Sequence, residues 1–380
     1  MMSNMTSKFG NTPLTMKVLE KLNKLSNGEN LSFSPVGLCV ALEMLKRGMI
    51  QDCPAHEALE DLLGHTDSCI PECRTEEFTL ERGTCLWVDK AKGVVRDDYI
   101  NIIETEFDAS GINRDFKEAE SVKREIGQWV SERTHETIKS LDLRLSTEDF
   151  MVLLNVIYMK AKWEYPFDDS DTDIRPFKNI DGSISKVEMM HQTYRHAAYE
   201  ETKDYKSISL PYADGKHCMV IVLPRKQNRF DEVIASKEWI CPSGTTGKVV
   251  LSLPKFKFDV KVEMKEMLIE LGLGEMLDRD DSFPKISDQP ISLSQFIQQC
   301  TIDVDEDGTE AAAVTFMECA LGCLPPKPLK TYRMNVNRPF GFAVKYDDGD
   351  NEKIIFAGVV KWFDNVDDET VNEYTNGYKQ

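Results

Sequence analysis

From Thr301 onward the chain alternates apolar and polar residues as a strand does, and it keeps that alternation through a segment with the composition of a loop. Ile302 and Val304 alternate with Thr301, Asp303 and Asp305. After Gly308 comes a run of small residues, Thr309-Glu310-Ala311-Ala312-Ala313-Val314-Thr315. With a period of two, one face carries Thr309, Ala311, Ala313, Thr315, Met317, Cys319 and Leu321. The other carries Glu310, Ala312, Val314, Phe316, Glu318 and Ala320. Both glutamates share a phase, so one face can be buried without burying a charge. A segment with no strand to become has no reason to hold that phase. It reads as a strand still waiting for its sheet.

The run from Gly308 to Ala313, preceded by Glu306 and followed by Asn337-Arg338-Pro339-Phe340-Gly341-Phe342, resembles the reactive-centre loop of inhibitory serpins. The resemblance implies an α+β serpin fold: a large mixed main β-sheet, smaller sheets, about eight helices and an exposed loop. It also implies a mechanism. A protease attacks the loop and is caught as an acyl-enzyme, and the cleaved loop inserts into the main sheet, releasing stored strain. Glu306, Gly308, Thr309, Glu310, Ala311, Ala312 and Ala313 would form the hinge, with Gly308 as a pivot that tolerates a dihedral change. Counting from Glu306 at the family's usual offset puts the scissile bond at Gly322-Cys323, with Leu321 and Leu324 beside it. The stretch from Gly308 to Pro339 is longer than usual, so the cut is bounded only to 321–333.

Further matches run along the chain. Thr12-Pro13 opens a helix as cap and first residue, with Val18, Leu22 and Leu25 on one face and Asn27-Gly28 at its end. Leu31-Ser32-Phe33-Ser34-Pro35 leads a short strand into a second capped helix, and a third is expected around His56 to Leu63. The chain between Gly64 and Thr79 is short, and the helix that carries the heparin site in some serpins is expected to be missing. Thr79 to Asp89 reads as a strand. Ile126, Trp129 and Val130 mark a helix that resembles the one lying across the family's main sheet. Phe150 to Met159 is apolar in both phases, as a buried central strand requires, and Lys160 to Phe167 matches a serpin signature. By resemblance Ser34, Gly37, Asn155 and Gln298 belong to the shutter of the main sheet, and Trp163 to the breach where the loop first inserts. The family usually has serine at the place of Gly37 and histidine at that of Gln298. Asp214-Gly215 and Asp347-Asp348-Gly349 signal hairpins, and Lys265 to Leu271 a short helix stopped by Gly272. One domain spans 1–380, with its core at 12–363, the hinge and loop at 303–339, and a tail at 364–380 expected to be mobile.

Composition excludes several classes. The chain of 380 residues has a formal net charge of -19, from 65 acidic and 46 basic residues. No basic excess exists to neutralise phosphates, so neither nucleic acid nor an anionic membrane is expected as a partner, nor is heparin. Ten cysteines are scattered, as free thiols in a reducing compartment would be. The first residues lack the apolar core of a signal peptide, so a cytoplasmic location is expected, or an extracellular one if a leader has been removed. Asp303, Asp305, Asp307 and Gly308 match half a calcium loop, but Val314 stands where a bidentate glutamate belongs. Cys53, His56, His65, Cys69 and Cys73 have no common zinc spacing. No metal or cofactor is expected, and no catalytic constellation marks an enzyme.

The reading that follows is a monomeric suicide inhibitor of a serine protease. The alternatives are an inhibitor of papain-like cysteine proteases and a non-inhibitory serpin acting as a binding or chaperone protein.

Overall fold

The computed structural model describes residues 11–366 apart from 52, 65–72, 139–140, 196, 245–246, 275–276, 278, 280, 310–329 and 350. Among the described residues are seven α-helices: α1 Thr12–Leu25, α2 Pro35–Arg47, α3 Pro54–Leu63, α4 Asp97–Phe107, α5 Ala119–Arg133, α6 Phe230–Ala235 and α7 Met264–Leu268. The strands form three sheets. The first runs β1 (Leu31–Phe33), β17 (Glu352–Val360), β16 (Phe340–Asp347), β10 (His217–Pro224), β9 (Tyr205–Pro211) and β8 (Ala198–Glu201). A four-stranded sheet runs β15 (Thr331–Asn335), β11 (Lys248–Pro254), β7 (Ile184–Tyr194) and β6 (Asp173–Lys178).

The main sheet runs β12 (Phe256–Glu263), β13 (Leu293–Val304), β14 (Gly308–Thr309), β5 (Met151–Lys162), β3 (Phe78–Asp89) and β2 (Cys73–Arg74), with β4 (Ser110–Arg114) also on β3. Its centre is β5, whose two phases are buried by different partners. Met151 and Leu153 join the cluster that holds α2, whereas Val152, Leu154 and Val156 pack with Ile126 and Val130 of α5. That two-sided cover explains why Phe150 to Met159 is apolar throughout. Below the short β14, β5 and β13 pair directly and in parallel, Met151 to Ile157 against Leu293 to Cys300. A parallel pair with an antiparallel strand wedged between its upper ends is the unusual feature of this sheet.

Two details differ from the sequence-based expectation. Thr12 is not the cap of α1. Asn11 holds that position, and its amide is drawn off to Ile354 of β17, donating to the carbonyl and accepting from the N–H at 2.8 Å each. Leu25 is 37% exposed, whereas Val18 and Leu22 on the same helix are buried. At the start of the expected tail, Asn365 Oδ1 accepts from Lys186 N and Val366 N donates to Lys186 O; residues 367–380 lie outside the described ones. Both expected hairpins are present, and Gly215 and Gly349 take the left-handed conformation their turns require, with φ of 69° and 92°. No helix among the described residues is long and apolar enough to cross a membrane.

Candidate functional site

The hinge begins as a tight turn. Asp305 N donates to Gly308 O at 3.0 Å, and the Asp305 carboxylate accepts from the N–H groups of Asp307 and Gly308. The turn sends the chain back as β14, pairing Thr309 with Val304 on one side and with Ala161 on the other. Two residues of the predicted hinge therefore already lie in the main sheet. Glu306, which faces inward and is 5% exposed, is held by Lys255 Nζ at 2.8 Å and by the Thr172 hydroxyl at 2.6 Å. Trp163 binds the same turn through its own N–H to Asp307 O and its indole N–H to Asp305 O.

Gly308 also meets a packing demand that its sequence neighbours do not reveal. Its φ is not in the left-handed region, but a Cβ would stand 2.0 Å from the carbonyl oxygen of Ala161 and 2.8 Å from Lys162 Cα. Close backbone approach demands the glycine in this conformation. Thr309 is 1% exposed and its hydroxyl meets that of Tyr212 at 2.9 Å. Tyr212 in turn stacks on Trp163, with centroids 4.7 Å apart.

Burial pushes the Asp305 carboxyl up to about 6; the Gly308 N–H opposes the shift, and the neighbouring Asp303 and Asp307 add to it. A folded-state value above the unfolded one contributes stability that is complete below the ordinary value of 3.8 and is lost as pH rises through about 6. Asp305→Asn keeps the acceptor and removes the charge. Allowing for partial exposure, it is expected to stabilise by about 1 to 2 kcal/mol near neutral pH. The melting midpoint should rise by about 2 °C at pH 7.5 and the gain should vanish toward pH 4. A gain independent of pH would contradict the assignment.

Below the hinge, the seam between β5 and β13 is closed by side chains with no exposure. Gln298 Nε2 donates to Asn155 Oδ1 at 2.8 Å and to Ser34 O at 3.0 Å, and Gln298 Oε1 accepts from Ser34 N at 2.7 Å. Asn155 completes the set by donating to the Thr84 hydroxyl at 2.9 Å. One amide thus joins β13, β5 and the start of α2, where Ser34 caps the helix by accepting from Gly37 N. The two departures from the family pattern fit each other. A Cβ on Gly37 would fall 2.2 Å from Asn155 Oδ1 and 2.6 Å from Ile157 Cδ1. Gly37→Ala is therefore expected to destabilise by about 2 kcal/mol through overpacking, despite alanine's better helix propensity. A drop of about 2 °C or more in the melting midpoint checks this.

Of the residues singled out from sequence, Glu306, Gly308, Thr309 and Trp163 meet at the top of the β5–β13 seam, and Ser34, Gly37, Asn155 and Gln298 at its middle. Glu310, Ala311, Ala312 and Ala313, and the reactive-bond set Leu321, Gly322, Cys323 and Leu324, lie outside the described residues. Sequence reasoning missed Lys255, Thr172, Tyr212 and Thr84. None stands in a motif, and the nearest signal is the Asp214-Gly215 turn that follows Tyr212. The seven described cysteines are free thiols. Cys53 Sγ accepts from His56 N at 3.4 Å as the cap of α3.

At its upper end the main sheet thus holds a two-residue antiparallel strand between the parallel β5 and β13. Residues 9–361 match the family model described as Serpin (serine protease inhibitor), and the chain belongs to the serpin family. It is 29% identical to an uncharacterized serpin-like protein of Methanosarcina acetivorans, over 88% of this chain and 82% of that one. The native state of a thermophilic serpin, tengpin, superposes with a TM-score of 0.82 at 24% identity over 95% of both chains. Human thyroxine-binding globulin in complex with thyroxine superposes with a TM-score of 0.80 at 23% identity, covering 93% of this chain and 98% of that one. The family thus holds protease inhibitors and also members that do other work.

Proposed function

We propose that this chain is a suicide-substrate inhibitor of a serine protease, with papain-like cysteine proteases as the close variant. The observation that carries the reading is β14, an antiparallel wedge already seated between two parallel strands. Continuing it downward would replace one parallel pairing by two antiparallel ones, which are slightly more stable per residue. The strand that would do this is the one whose alternation keeps Glu310 and Glu318 on a common face. A protease nucleophile that attacks a peptide carbonyl within 321–333 releases the new amino terminus and remains esterified, or thioesterified, to the loop. Insertion then carries the acyl-enzyme away before water can reach it, provided insertion outruns deacylation.

Incubation with elastase, subtilisin, trypsin and papain tests this. A complex that survives a denaturing gel is expected with at least one of them, and mass spectrometry of the released peptide then places the cut. Clean cleavage by all four with no such complex would favour the non-inhibitory alternative.

A further inference from the structure

Thr309 and Tyr212 are both enclosed, at 1% and 0% exposure, and their hydroxyls meet at 2.9 Å. Burial raises the Tyr212 pKa, so the phenol stays protonated and able to donate. Its position is set by the backbone on both sides. Tyr212 N donates to His217 O, Ala213 N to Lys162 O, and Glu164 N to Pro211 O, and Trp163 and Tyr212 form an isolated antiparallel bridge. The ring is clamped between Trp163 and the edge of Phe78, at centroid distances of 4.7 and 6.1 Å. A hydroxyl held so firmly cannot follow a partner that moves. If the hinge leaves the sheet, both hydroxyls lose their bond, and the one on Tyr212 is left buried and unsatisfied.

We propose that Tyr212 is a positioning residue that holds the hinge in its two-residue inserted state by receiving the Thr309 hydroxyl. The bond gives the cleaved loop a start already made, because the first residues of the new strand are seated before the protease arrives. A hinge released from Tyr212 has to find the opening again while the acyl-enzyme is exposed to water. More molecules then end as cleaved substrate. The effect on protease capture rests on the inhibitory reading; the effect on the hinge itself does not.

The test uses the full chain and four variants, Tyr212→Phe, Thr309→Val, Thr309→Ser and the double variant Tyr212→Phe/Thr309→Val. Amide hydrogen exchange at Gly308 and Thr309 is expected to speed up at least fivefold in Tyr212→Phe and in Thr309→Val, and to stay at the parental rate in Thr309→Ser. Removing both hydroxyls leaves no orphan, so the double variant should exchange no faster than either single. A general loss of packing would not produce that pattern. Parental exchange in both single variants, or effects that multiply in the double, would overturn the proposal.

For any protease that forms a complex, the number of inhibitor molecules consumed per protease should rise at least twofold in the two single variants; no rise despite faster exchange would also overturn the proposal. If no protease is captured, the inhibitory reading fails while the exchange results still decide what Tyr212 does.

Discussion

Thr309→Arg is expected to abolish the covalent complex while leaving cleavage of the loop intact. The side chain at 309 points into an enclosed site against Tyr212, with the Ala161 and Lys162 backbone alongside. The inward carboxylate nearby, Glu306, is already paired with Lys255. An arginine would have to carry its charge into the seam without a partner, at a cost of several kcal/mol. Each 1.4 kcal/mol added to the insertion barrier slows it about tenfold. Deacylation would therefore win, and the stoichiometry of inhibition should rise by at least about tenfold. A denaturing gel decides it: a persistent band for the mutant complex would refute the proposed role of the hinge.

Cleavage of the loop in the parental protein is expected to raise the melting midpoint well above that of the intact form. Burying Met317 and Leu321 would add about 1.5–3 kcal/mol each, and the hydrogen bonds of a new central strand about 0.5–1.5 kcal/mol each. Together these come to roughly 10 kcal/mol. An unfolding entropy of about 2.1 cal/mol/K per residue converts that into a rise of about 10 °C or more. Equal midpoints for cleaved and intact protein, measured by the same calorimetric scan, would mean that the severed segment stays outside the sheet. A strand passing between β5 and β13 would have to break the 2.8 Å bond between Gln298 and Asn155.

The departures from family pattern were visible as letters and opaque as structure. Gln298 in place of histidine and Gly37 in place of serine look like two separate losses of hydrogen bonding. In the folded chain they are one arrangement, since the glutamine amide reaches both Ser34 and Asn155, and the glycine leaves room for the asparagine. Gly308 shows the reverse case. Its identity was legible, but the close approach of the Ala161 carbonyl was not, because that residue is 147 positions away in sequence.

What the amino-acid order determined by itself was everything that depends on neighbours along the chain. The alternation of β13, the two-phase apolar run of β5, the glycine turns at Gly215 and Gly349 and the start of α2 at Ser34 all follow from residues a few places apart. The tertiary structure alone decided how far the hinge is seated, that Lys255 and Thr172 hold Glu306, that Tyr212 meets Thr309, and that Asn11 serves β17 instead of capping α1. These contacts join residues from 51 to 343 positions apart. Periodicity reports which face of an element is buried; only the packed chain reports what it is buried against.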